Sequence, residues 1–187
     1  MLDFTPIRNH SQTFAEFSQG LTKADLQKYT NEMIDTELDI IANATDADVV
    51  FLPVDPQAKD TFGKAEEQDL AWTLGHVVVH ATASSEEAAA TSSSLARGVA
   101  VEGRSRYETP WETLKTVAQL QQRLEESRRI RLAFLETWPD EPHLDLIQEL
   151  PFGRFNAVSR FLTGLLHEDS HLEQLREIMR QAHAISG

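Results

Sequence analysis

Residues 154–184 read RFNAVSRFLTGLLHEDSHLEQLREIMRQAHA, and their apolar side chains recur at intervals of three and four, the spacing of one buried stripe on a long helix. Working outward, similar patterns run from about Trp111 to Trp138 and from about Gln68 to Ala96. Another covers Thr22–Ala44, where Leu26, Tyr29, Met33, Ile34, Leu38 and Ile41 form the stripe and Thr22 with Asp25 reads as a capping start. Phe14, Phe17 and Leu21 suggest a shorter helix interrupted at Gly20. Asp46–Gly63 reads as a long ordered loop, and Leu144–Leu150 as a short strand or an extended arm. The expected fold is therefore all-α, a four-helix bundle with a short N-terminal helix, residues 1–187 forming a single domain. An extended chain advances at most about 3.5 Å per residue against about 1.5 Å in a helix. Gly98–Pro110 can thus run back along most of the bundle, so a long crossover connection is expected.

Composition narrows the function classes. The chain has 187 residues, a formal charge of −13, 41% hydrophobic and 25% charged residues, and no cysteine. Such charge disfavours nucleic acid and anionic membranes as partners. No apolar run approaches the roughly 18 residues a membrane helix needs. Residues 1–10 carry no secretory pattern, so the cytoplasm is the expected compartment. Without thiolates, a transition metal must be held by histidine nitrogen and carboxylate oxygen.

Four of the 7 histidines form two pairs of identical spacing, His76 with His80 and His167 with His171. Four residues advance a helix by about 400°, so each pair shares a face with its rings about 6 Å apart along the axis and able to converge on one ion. A lone inward histidine is usually a hydrogen-bonded core residue; two such pairs on separate helices of a chain lacking cysteine favour a metal. Gly164, His167, His171, Gln174 and Ile178 share one face of the last helix, where Gly164 serves either substrate room or close helix packing. His167-Glu168-Asp169-Ser170-His171 also matches H-E-x-x-H. The zinc-protease reading fails further on, because Gln174 and Glu177 stand where the extended form of that motif needs glycine and histidine. A ferritin-like di-iron centre needs two E-x-x-H motifs, and only Glu168 with His171 supplies one.

Trp72, His80 eight residues on, and His167-x-x-x-His171-x-x-Gln174 resemble the DinB-like superfamily of metal-dependent four-helix bundles, over roughly Gln68 to Ile178. That resemblance implies a divalent metal, zinc or nickel, bound by His80, His167 and His171, with His76 the alternative to His80. It also implies a metal-dependent transferase or hydrolase acting on small molecules, with a low-molecular-weight thiol as cosubstrate, in a homodimer. It implies no DNA chemistry. Ser170 stands where the family usually has an aromatic residue or histidine, and the acidic residue often following the second-helix histidine is displaced to Glu86 and Glu87.

Three neutral imidazoles leave a tetrahedral cation one further position, the arrangement of catalytic rather than structural zinc. Glu168 is the candidate proton acceptor. It lies about 100° round the helix from His167, which suits a solvated exterior side chain rather better. Arg123, Arg128, Arg129 and Arg131, with Arg97, Arg104, Arg154 and Arg160, are candidates to attract an anionic thiol, the first four also suiting surface pairs with Glu125 and Glu126. Trp72, Trp111 and Trp138 are expected as core or helix-end anchors. The competing class is a non-enzymatic dimeric binding or stress-response module whose histidines are core residues or a vestigial site.

Overall fold

The computed structural model describes residues 1–56, 70–103 and 108–186. Two short helices, α1 (Thr5–Arg8) and α2 (Phe14–Phe17), lead into α3 (Lys23–Ile40); α4 (Asp46–Val49), α5 (Leu74–Ala96), α6 (Val117–Glu136) and α7 (Ala157–Ser186) follow, with a 3-10 turn at Trp111–Thr113. Strands β1 (Gln148–Leu150) and β2 (Gly153–Phe155) make an antiparallel hairpin, Gln148 opposite Phe155, immediately before α7. The expected arm at Leu144–Leu150 is thus the first strand of that hairpin, and the last helix starts at Ala157 rather than Arg154 because residues 153–155 pair backward. No helix among the described residues is long and apolar enough to cross a membrane.

Helix starts follow from side-chain chemistry. The Thr22 hydroxyl accepts from the Asp25 amide while the Asp25 carboxylate accepts from the Thr22 amide, satisfying two donors that the first turn leaves open. Thr116 and Gln119 repeat the arrangement at α6, so the third long helix begins at Val117 instead of Trp111. Thr73 caps α5 through the His76 amide, which puts Trp72 outside the helix expected to contain it. The proposed Gln68 start, the loop beyond residue 56 and Arg104 lie outside the described residues.

The helices form a four-cornered bundle in which α5 and α7 each pack on α6 or α3 and on one another. Ser85 Oγ donates to the Gly164 carbonyl and Ser92 Oγ to that of Ala157, so α5 and α7 run antiparallel. Glu86 pairs with Arg123, and Ser93 meets Thr137 at 2.5 Å, so α5 and α6 run parallel. Two sequential helices can be parallel only if the chain returns along the bundle, which makes the segment between Arg97 and Thr116 the crossover. Leu26, Met33, Leu95, Leu135, Phe161 and Leu165 fill one half of the core; Ile34, Val78, Leu124, Leu175 and Ile178 fill the other.

Gly164 decides how close α5 and α7 come. A Cβ there would stand 2.8 Å from Ser85 Cα and 2.9 Å from Ala88 Cβ, the first a backbone atom that cannot rotate aside. Its role is close packing rather than substrate room. Gly164→Ala is expected to lower stability: overpacking costs about 1–3 kcal/mol and outweighs the roughly 1 kcal/mol gained in helix propensity. A urea midpoint equal to or above wild type would contradict this seam.

Candidate metal centre

One nitrogen from each of His80, His167 and His171 lies within 4.8 Å of the others, the described cluster able to hold a metal. His80 comes from the second turn of α5; His167 and His171 come from the middle of α7. The antiparallel seam sets these positions level, and the ring centroids stand 4.9 Å (His80–His167), 5.3 Å (His80–His171) and 4.8 Å (His167–His171) apart. His171 Nδ1–H donates to Gln174 Oε1 at 2.8 Å, which leaves Nε2 of that ring with its lone pair. Gln174 lies one turn beyond His171 on the face singled out from spacing alone.

His76 stands apart from this cluster. Its ring stacks on Trp72 (centroids 4.3 Å, 20°) and on Trp111 (4.9 Å, 2°), and Trp72 in turn contacts His80 at 4.6 Å and His171 at 5.9 Å. The four rings Trp111, His76, Trp72 and His171 make a near-parallel ladder leading to the triad. Trp72 and Trp111 are half-buried and pack against the core, as expected of anchors, and Trp72 in addition lies against two rings of the triad. Trp138, just past the C-terminus of α6 and buried, is the anchor expected.

Glu168 is neither exterior nor solvated. Its side chain is 0% exposed, and Oε2 accepts from Arg131 Nη1 at 2.6 Å, Arg131 being 1% exposed. Burial pushes this carboxyl above its ordinary value, opposed by the Arg131 charge and hydrogen bond. Such a carboxylate takes up another proton only by giving up the ion pair. Arg131, expected on the surface beside Glu125 and Glu126, is thus a core residue. Arg128 does pair with Glu125, at 3.0 Å, and reaches across to Asp35 of α3 at 2.6 Å. Glu86 is engaged with Arg123 of α6.

A second carboxyl shares this buried layer. Glu37 of α3 is fully buried, and burial pushes it well above the usual carboxylate range, with the Glu168 charge adding to the effect and Arg131 opposing it. The folded chain therefore holds the Glu37 proton more tightly than the unfolded chain, whose carboxyl titrates near pH ~4.3. This contribution to stability is complete below about pH 4.3 and is lost as pH rises toward the raised folded value. Glu37→Gln is expected to flatten that decline, so urea midpoints measured between about pH 5 and pH 8 should fall more for wild type than for the variant. Parallel profiles would remove Glu37 as the cause.

Sequence reasoning missed one acidic neighbour of the triad. Glu108, on the crossover, places Oε1 3.6 Å from His80 Nδ1, with His80 16% and Glu108 34% exposed. Nothing periodic marks it, since it belongs to neither helix that carries the histidines.

A helical bundle with a long crossover here brings three imidazoles from two antiparallel helices to one point, a group that could hold a metal ion. The DinB superfamily model matches residues 10–175, and the chain belongs to that superfamily. No curated protein and no solved structure gave a match.

Proposed function

We propose that this protein is a divalent-metal enzyme of small-molecule chemistry, a transferase or hydrolase that uses a low-molecular-weight thiol, with zinc or nickel held by His80, His167 and His171. The observation carrying it is the approach of one nitrogen from each histidine to within 4.8 Å of the others. The donor chemistry fits: three neutral imidazoles suit zinc and nickel, and His171 has an outer acceptor in Gln174 that fixes its tautomer. When bound, the cation supplies Lewis acidity and lowers the pKa of water or a thiol at its remaining position.

The chain's own residues do the rest. His80 and the α7 pair present lone pairs from two rigid helices, while Trp72 and the His76–Trp111 stack form an aromatic wall beside them. That wall limits water at the site. Glu168, expected as proton acceptor, is engaged with Arg131 and in this reading sets the rotation of α7 about its axis, which aims His167 and His171.

Metal analysis of protein purified without an affinity tag tests the reading, with zinc or nickel near one per chain expected. Nickel should also quench tryptophan emission through Trp72, and Trp72→Phe should remove most of that quenching. Metal-dependent conversion of a thiol and an electrophile then separates an enzyme from a metal-binding module. Protein that retains no divalent metal overturns the proposal. The homodimer belongs to the same reading, and light scattering that gives a monomer across a concentration series would remove it.

A further inference from the structure

The geometry points to Glu108 as the residue that positions His80, holding its ring in the tautomer that offers Nε2 to a metal; this rests on the metal-centre reading above. Glu108 Oε1 stands 3.6 Å from His80 Nδ1. An acceptor charge on that side favours the proton on Nδ1, and a histidine with Nδ1 protonated has its lone pair on Nε2. His171 has the same arrangement by a different partner, its Nδ1 facing Gln174 Oε1 at 2.8 Å. Two rings of the triad are thus oriented from behind by oxygen acceptors, one carried on α7 itself and the other brought from the crossover.

The separation at His80 is longer than a hydrogen bond, so the carboxylate acts there through charge. Its influence is appreciable because His80 is only 16% exposed and Trp72 covers the ring at 4.6 Å, restricting both rotation and hydration. Giving up the Nε2 lone pair makes Nδ1–H a stronger donor, so the pull of Glu108 grows when a cation binds.

The placement of Glu108 is secured by its neighbours. Three residues on, Trp111 stacks on His76. Leu114 closes on Gly75, where a Cβ would stand 3.1 Å from the Leu114 carbonyl oxygen. The crossover is therefore fastened to the first turn of α5 just after Glu108, one turn before His80. Gly75 permits that approach because it presents no side chain.

The test uses the full chain with Glu108→Ala and Glu108→Gln. In zinc titrations against a chromophoric chelator, Glu108→Ala should bind about 10–100-fold more weakly than wild type, the usual effect of losing an outer partner. Glu108→Gln, which keeps an acceptor oxygen but not the charge, should fall between them. Nitrogen-15 spectra of the metal-free proteins give a readout that a merely structural role would not move: His80 should be mainly Nδ1-protonated in wild type and shift toward Nε2 protonation in Glu108→Ala. Zinc affinity of both variants within about twofold of wild type, or an unchanged His80 tautomer, overturns the positioning role alone. Wild-type protein without tight zinc binding overturns the metal-centre reading and this role with it. Should Glu108→Ala fail to fold, Glu108→Gln alone decides, by the same affinity and tautomer criteria.

Discussion

Methionine in place of Arg131 is expected to lower folding stability by about 3–5 kcal/mol, because it leaves a carboxylate in the core without its counter-charge. Glu168 is 0% and Arg131 1% exposed, so water cannot take over the lost contact. The variant can relieve the strain only by keeping Glu168 protonated. Its deficit should therefore be smaller near pH 5 than near pH 8, the sign expected for a carboxyl whose folded-state pKa is raised. The double variant Arg131→Met with Glu168→Leu should recover most of the loss, because replacing a buried ion pair by apolar groups is often close to neutral. Urea unfolding of the four proteins in this cycle provides the check. If the double variant is no more stable than Arg131→Met, the pair does not account for the loss.

His171→Ala, and separately His167→Ala, should weaken zinc binding by more than the roughly 100-fold that loss of an outer partner reaches, since each removes a donor atom. Gln174→Ala, which removes only the acceptor behind His171, should fall within about 10–100-fold. This ordering separates donors from the groups that aim them. It also has a thermal counterpart: a ligand at about a hundred times its dissociation constant stabilises the folded chain by about 2.7 kcal/mol. Wild type should melt higher with zinc than with a chelator, and both histidine variants should lose that difference while retaining metal-free melting temperatures near the wild-type one. A His171→Ala protein that binds zinc as tightly as wild type would remove His171 from the donor set.

What could be read along the chain was what repeats locally. The stripe from Leu26 to Ile41 and the Thr22–Asp25 capping start are neighbours on one helix, and both stand in the fold. The i, i+4 spacing of His167 and His171 needed only helix geometry to place the rings together. Partnerships between distant segments left no periodic trace. Arg131 and Glu168 are 37 positions apart, and in sequence each looks like an ordinary surface charge. The choice between His76 and His80 was likewise tertiary. Both occupy one helical face, and what separates them is Trp111, which the crossover brings to stack on His76. The 148–155 hairpin was only half visible because each strand is 3 residues long, too short for alternation to establish itself.

The parallel course of α5 and α6 has a further implication for how such a scaffold can diversify. The three histidines ride on helices that approach closely where Gly164 meets Ser85 and Ala88, and a side chain added at Gly164 would clash there. Glu108 and Trp111 ride on the return connection, and lengthening a connection carries a small entropic penalty, about 0.6 kcal/mol per doubling. Descendants of one ancestral bundle can thus retune what sits beside the histidines by editing a single stretch of chain, leaving the frame that gathers the nitrogens untouched.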